Sequence, residues 1–220
     1  MPADREKIRI LLASSTPSRW VFTGDSITHG ALHTMGWRDY TELFSERLRW
    51  EMSRPHDCVI KTAASGWRIT EIDADLEASV LQYRPHVVSM ACGMNDCAAG
   101  DEGLNEFASI YRRSIIRVRA ASNAAVVIHT PPRILPLDEQ RWPHLHSYVE
   151  TIRTIAQEVG AVLVDHHAHW SEAVGRGVLP FWLSDAIHPN ECGHRAMAHL
   201  LFHRLGIWDA SSTVCRMFVP

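Results

Sequence analysis

Five short apolar runs punctuate the chain: "RWVFTG" (19–24), "CVIKT" (58–62), "HVVSMAC" (86–92), "AVVIHT" (125–130) and "AVLVD" (161–165). They are rich in Val and Ile and end in small or polar residues, the pattern of strands buried in a parallel sheet. Between them, apolar positions return every three or four residues. Residues 37–52 align Tyr40, Leu43, Phe44, Arg47 and Leu48 on one face, and residues 103–121 align Leu104, Phe107, Ile110, Tyr111, Ile115 and Val118. Residues 145–159 do the same with Leu145, Tyr148, Val149, Ile152, Ile155 and Val159. A last helix follows Pro189, with Asn190 as its N-cap and Gly206 as its stop. Strands alternating with helices predict an α/β fold. The expectation is a mainly parallel sheet of five strands with right-handed crossovers.

One connection breaks the rhythm. "PPRILPLDEQRWPH" (131–144) is long and carries four prolines. Ordered loops of that length are often functional, so it reads either as a wall or lid of a site or as a rigid surface excursion.

The 220 residues suit a single domain over 1–220, with residues 1–17 as an N-terminal extension. A hydrophobic share of 46% suffices for a packed core, and a formal net charge of −3 argues against a basic nucleic-acid-binding surface. No apolar run approaches the roughly 20 residues of a membrane span. The apolar stretch from Ile8 to Ala13 is broken by Arg9 and follows mixed charges, unlike an export signal. Five cysteines, an odd number without a CxxC pair, fit reduced thiols and a cytoplasmic location better than a disulfide framework or zinc site. The sequence is compatible with a homo-oligomer.

In an open parallel sheet, ligands bind beyond the carboxyl ends of the strands. There "GDS" follows the first strand, "AASGW" the second and "CGMND" the third, and "SDAIHPN" introduces the last helix. Taken alone, Ser26 could be a helix cap or a nucleophile. As a nucleophile it needs a base, which His188 can supply, with Asp185 three residues earlier to orient the imidazole. The backbone N–H groups of Ser26 and Gly66 and the side-chain amide of Asn95 are candidate donors to an oxyanion. At Gly66 a missing Cβ lets substrate approach the backbone and permits a positive φ.

The blocks Gly24-Asp25-Ser26 within "GDSIT", Gly93-Met94-Asn95-Asp96 and Asp185-Ala186-Ile187-His188-Pro189 resemble those of the SGNH/GDSL hydrolase family, over residues 18–206. The resemblance implies that Ser26 is the nucleophile, His188 the base and Asp185 its partner, with Ser26, Gly66 and Asn95 as the oxyanion hole. It implies the family's fold, a three-layer α/β/α sandwich around a five-stranded parallel sheet, flavodoxin-like in order, and hydrolysis of a small-molecule carboxylic ester through an acyl-serine, with no metal or organic cofactor. The charge and the short apolar runs predict no nucleic-acid or membrane partner. Acetylated carbohydrates, short esters, lysophospholipids and thioesters are the family's substrate classes. The tryptophans near the motifs point to a small acyl group, such as acetyl on a sugar. An acyltransferase using the same triad and a non-catalytic binding module are the rival readings. One block departs from the pattern: "KTAASG" puts Lys61 where the family has Asn and Ala63 where it has an earlier Gly, which questions how the second loop is braced.

Other polar residues take blander roles. Asp25 and Asp96 read as turn-holding carboxylates. The histidines of "DHHAHW" (165–170) read as solvated loop residues rather than a metal site, and His199 with His203 lacks a third ligand. His29 and His33 are expected to line the pocket, with no carboxylate placed to make either a base. Trp67, Trp142 and Trp182 are candidate substrate-binding faces alongside His29, and Trp20, Trp50 and Trp208 are expected to serve packing.

Overall fold

The computed structural model describes residues 3–220; residues 1–2 of the expected extension lie outside the described residues. All five expected strands form: β1 (Arg19–Gly24), β2 (Cys58–Lys61), β3 (Val87–Ala91), β4 (Ala125–His129) and β5 (Val162–Val164). They pair in parallel in the order β2-β1-β3-β4-β5, so the chain reverses its direction of travel across the sheet between β1 and β3. Register aligns the carboxyl ends: Gly24 lies opposite Ala91, and Ala91 opposite His129. Burial follows position in the sheet. Every residue of β4 is buried, whereas β2, at one edge, exposes Cys58 and Lys61 and is not the doubly covered strand its sequence suggests.

The helices are α1 (Ala3–Ala13), α2 (Ser26–His29), α3 (Tyr40–Glu46), α4 (Ile69–Ala74), α5 (Leu76–Ser79), α6 (Leu104–Ser122), α7 (Leu145–Val159), α8 (His166–Gly175) and α9 (Glu191–Leu205). They cover both faces of the sheet: α1, α3 and α9 pack together as one layer, and α4, α6 and α7 as the other. The predicted faces are buried, Tyr40, Leu43, Phe44 and Leu48 on one side and Phe107, Ile115, Val118, Tyr148 and Ile152 on the other. Asn190 caps α9 by accepting from the N–H groups of Cys192 and Gly193 at 2.9 and 3.1 Å, and Gly206 closes it with φ +73°.

Three segments and two tryptophans differ from expectation. The segment read as one helix over 37–52 starts only at Tyr40, because Asp39 caps it and Glu42 returns a bond to the Asp39 N–H at 2.9 Å. It then loosens into a π-helical turn over Arg47–Glu51. The first 17 residues carry α1, which is built into the core: buried Asp4 accepts from Arg119 and from the Val126 N–H at the start of β4, at 2.6 and 3.1 Å. The "DHHAHW" stretch opens α8, capped by Asp165, and His166 and His167 are buried. Trp20 is buried as expected, but Trp50 is 81% exposed, and Trp208 is partly exposed, stacked on His203. Among the described residues no helix is long and apolar enough to cross a membrane.

Candidate active site

β1 ends at Gly24, where a Cβ would stand 2.4 Å from the Ala91 carbonyl oxygen, so only glycine lets β1 and β3 close up at their carboxyl ends. Asp25 then caps the single turn of α2 by accepting from the Ile27 N–H at 2.9 Å, and Gly30 ends it in the left-handed conformation. This turn presents Ser26 at the point where the strand order reverses, the expected ligand crevice of a doubly wound sheet.

His188 arrives from the far end of the sequence. Its loop is pinned by the bond from the Ser184 N–H to the His188 carbonyl at 2.8 Å and by the bridge of Leu183 to Pro189. Its Nε2 lies 2.9 Å from Ser26 Oγ, and its Nδ1 lies 2.8 Å from Asp185 Oδ2. Asp185 Oδ1 accepts from the N–H groups of Ile187 and His188, both at 2.8 Å. Burial pushes the Asp185 carboxyl up, but those N–H groups and the His188 ring outweigh it and hold it below the ordinary carboxylate value. An ionised Asp185 can only accept, so Nδ1 carries the ring proton and Nε2 faces the serine hydroxyl as an acceptor.

The second and third blocks are tied to the first. The N–H groups of Thr62 and Ala64 bond the carbonyls of Phe22 and Gly24 at 2.9 and 3.1 Å, bracing the loop without the missing Asn. Lys61 turns away from that loop and pairs with buried Asp39 at the start of α3. Gly66 has φ +85° with open space where a Cβ would stand. Asn95 donates from Nδ2 to the Trp67 carbonyl at 3.0 Å and accepts at Oδ1 from Arg141 at 3.3 Å, which leaves its second amide proton free of a protein partner. Arg141 belongs to the proline-rich loop at 131–144, which also bonds the Ala186 carbonyl through the Leu135 N–H at 2.9 Å. That loop therefore links the Asn95 and Asp185 segments as one wall.

Asp25 and Asp96 hold turns. Asp96 accepts from the N–H groups of Gly93 and Ile69 at 2.9 and 2.8 Å. Burial pushes Asp25 up to about 7 and Asp96 to about 6, against the pull of the N–H groups they accept from.

His29 bonds Ser65 at 3.0 Å, joining α2 to the second loop. His33 corrects the sequence expectation: Asp185 does stand beside it, Oδ2 to Nδ1 at 3.5 Å, and its ring lies flat on His188 with centroids 3.5 Å apart and planes 3° apart. Nothing in the local sequence signals this, because the contact joins segments at opposite ends of the chain.

Trp182 is also corrected. It is 1% exposed, packed edge-on to Trp170, and donates its Nε1–H to the Pro220 carbonyl at 3.1 Å, so its face is unavailable to a substrate. Trp67 is partly buried against the core. Trp142 sits beneath the Arg133 guanidinium and, with Leu145, His146 and His167, lines a cavity of about 170 Å³ that includes none of the triad candidates. A larger cavity of about 590 Å³, between Arg5, Gln157 and Arg204 at the amino end of β5, is likewise separate.

His33, Asp185 and His188 also form a cluster of metal-type donors, all within 4.8 Å. The two rings lie in parallel planes, so in-plane lone pairs on their nitrogens cannot converge on one ion unless a ring turns. Among the described residues the "DHHAHW" histidines belong to no such cluster: His166 Nε2 pairs with His129 Nδ1 at 2.9 Å, and His129 Nε2 with Ser89 at 2.7 Å.

A model of the GDSL-like Lipase/Acylhydrolase family matches residues 22–196. The chain is 22% identical over 159 residues to an acetylxylan esterase of Geobacillus stearothermophilus, covering 67% of this chain and 72% of that protein. A solved structure of an acetylxylan esterase from that organism superposes with a TM-score of 0.73 at 22% identity, covering 86% of this chain and 94% of the other. Three further structures of that enzyme, described as catalytic mutants, replace a serine, an aspartate, and a histidine three residues after it. An α/β hydrolase enzyme from the metagenome of Lake Arreo superposes with a TM-score of 0.75 at 21% identity, covering 89% of this chain and 99% of that one. These likenesses agree with the five-stranded parallel sheet and its two helical layers.

Proposed function

Because the chain belongs to the GDSL-like lipase/acylhydrolase family, we propose that it is a serine esterase that hydrolyses small carboxylic esters, acetylated carbohydrate first among them, through an acyl-Ser26 intermediate. One observation carries the reading: Ser26 Oγ, the His188 ring and the Asp185 carboxylate stand in hydrogen-bonding sequence at 2.9 and 2.8 Å. The same trio of residue types, with aspartate and histidine at the same spacing, is altered in the catalytic mutants of the acetylxylan esterase. That likeness also supports acetyl as the acyl group.

In the cycle, Ser26 Oγ attacks the ester carbonyl carbon as its proton passes to His188 Nε2, and Asp185 stabilises the imidazolium without taking a proton. The carbonyl oxygen becomes an oxyanion held by the N–H groups of Ser26 and Gly66 and the free amide proton of Asn95. Each such donor contributes about 2.7–4 kcal/mol when tested by removal. The tetrahedral species collapses as His188 returns its proton to the departing alkoxide oxygen, leaving acyl-Ser26. Water, deprotonated by the same Nε2, repeats the sequence and releases the carboxylic acid.

The test is Ser26→Ala with p-nitrophenyl acetate and a panel of acetylated xylo-oligosaccharides against longer-chain esters. The expected result is background turnover in the variant at unchanged melting temperature, fluorophosphonate labelling of the parent only, and preference for acetyl. An alanine variant that keeps most of its turnover would remove Ser26 as nucleophile. A preference for long acyl chains would remove the substrate class.

A further inference from the structure

We propose that His33 is a positioning residue for the base, its imidazole pressed flat on His188 so as to hold that ring in the plane joining Ser26 to Asp185. The inference rests on the triad reading above. The His188 ring is anchored in its own plane at two points, Nδ1 on Asp185 and Nε2 on Ser26. Both contacts are made at ring nitrogens, so neither restrains tilt about the line that joins them. A second plane at 3.5 Å and 3° blocks the tilt from one side.

The stacking also bears on the attack step. Two neutral aromatic rings prefer an offset or edge-on arrangement to full face-to-face overlap. A cation over a neutral ring face is attractive. The overlap of His33 with His188 therefore improves when His188 becomes an imidazolium, which happens as Ser26 attacks, and an interaction that strengthens on the way to the transition state accelerates the step. For this His33 must stay neutral, and its surroundings keep it so: burial, and then the charge of His188, hold it below its ordinary value against the pull of Asp185. Other titratable groups lie behind the pair. His194 of α9 is pushed by burial down to about 4, and the Asp39–Lys61 pair is internally balanced. His33 takes no proton in the cycle.

The backbone around His33 is built for this placement. Leu32 and Met35, one on each side of the His33–Thr34 pair, both adopt the left-handed conformation, φ +67° and +52°, which is costly for a residue with a branched or long side chain. Neither gains burial in return, being 84% and 76% exposed. The turn is closed by bonds from the N–H groups of His33, Met35 and Trp37 to the carbonyls of Ala31, Leu32 and Thr34 at 2.8, 3.0 and 3.0 Å. What it delivers to the interior is buried Thr34 and the stacked His33 ring.

The test compares His33→Ala, His33→Leu and His33→Phe by kcat and KM on p-nitrophenyl acetate, fluorophosphonate labelling rate and the pH profile, with Ser26→Ala alongside. Loss of the stacking plane should lower kcat and the labelling rate in the Ala and Leu variants about tenfold or more, with KM within about twofold. Phe, which restores a neutral flat face, should recover kcat to within about threefold and keep the acid limb of kcat/KM, because the titrating base is His188. Wild-type kcat in the Ala and Leu variants overturns the proposal. So does rescue by Leu as full as by Phe, which would mean bulk rather than a ring, or loss of the acid limb in Phe, which would make His33 the base. Turnover surviving in Ser26→Ala would sink the triad reading and this proposal together. A silent Ser26→Ala beside unaffected His33 variants would sink only this one.

Discussion

Asp185 grips His188 through both carboxylate oxygens, Oδ2 accepting from the ring Nδ1 and Oδ1 from the backbone N–H of the same histidine, each at 2.8 Å. The backbone bonds make Asp185→Asn an informative change. Oδ1 must remain an acceptor for the N–H groups of Ile187 and His188, so the new amide would turn its NH₂ towards Nδ1. His188 would then carry its proton on Nε2 and present no lone pair to Ser26. A fall in kcat of about four orders of magnitude is expected, at little cost in stability. A kinetic assay returning an Asn variant within tenfold of the parent would show that Asp185 does not set the tautomer.

The amide of Asn95 is fixed on both sides, by the Trp67 carbonyl and by Arg141. Asn95→Ala removes a donor that matters when charge develops, so kcat should fall about 10²–10³-fold with KM nearly unmoved. Arg141→Ala leaves the donor in place but loosens it, and a smaller loss of about tenfold is expected. Gly66→Ala meets no neighbour within 4 Å, so its cost is the left-handed backbone at φ +85°, about 1–2 kcal/mol. Steady-state kinetics with urea melts on the three variants check this ranking. An Asn95→Ala enzyme with a raised KM and normal kcat would place the residue in ground-state binding instead.

The parts of the fold that sequence reading found are those in which local pattern and tertiary burial agree. Val- and Ile-rich runs became strands, and the apolar faces of α6 and α7 became buried faces. The juxtaposition of Ser26, Asp185 and His188 was legible because short local blocks stand at the end of β1 and just before α9, and the fold brings those two places together. Features set by distant partners were not legible. The "DHHAHW" stretch looks polar, yet its histidines are buried through bonds such as that of His166 to His129 from another strand. Trp182 and Trp50 show that an aromatic residue near a motif or a helix end says little about which way its ring faces. His33 meets Asp185 and His188 only because a strained turn folds back over the site.

Lys61 stands where the family pattern has Asn, and its pairing with Asp39 bears on stability. Asp39 is buried and also accepts from the Thr41 N–H and hydroxyl and the Glu42 N–H, at 2.7, 2.6 and 3.1 Å. Burial pushes its carboxyl up, but Lys61, Thr41 and Glu42 bring it below the ordinary value. Lys61→Met keeps those other bonds and removes the counter-charge. The Lys61 side chain is 28% exposed, so the loss should be about 1–3 kcal/mol, below that of a fully buried pair. Activity at 25 °C should be unchanged. Denaturant titration alongside kcat measurement checks it, and lost activity at full stability would mean that the second loop leans on Lys61 directly.

Buried histidines make the fold sensitive to mild acid. Burial pushes His129 down to about 3 and His167 and His194 to about 4, and holds His166 well below its ordinary value. Unfolded, each titrates near about 6.5. Between that value and about 4 the unfolded chain binds these protons and the folded chain does not, so the stability they contribute is present above about pH 6.5 and drains away as pH falls. Asp25 and Asp96 oppose this: raised to about 7 and 6, they hold protons in the folded state that the unfolded chain has released, and favour folding as pH falls through the same window. Four histidines against two carboxylates leave a net uptake of about two protons on unfolding. His33, His86, His169 and His199, also lowered, add in the same direction. Urea midpoints measured from pH 7 to pH 4.5 should therefore fall steadily, and His194→Gln should flatten the slope by about one proton. Midpoints that stay level or rise on acidification would show that the carboxylates, not the histidines, govern this range.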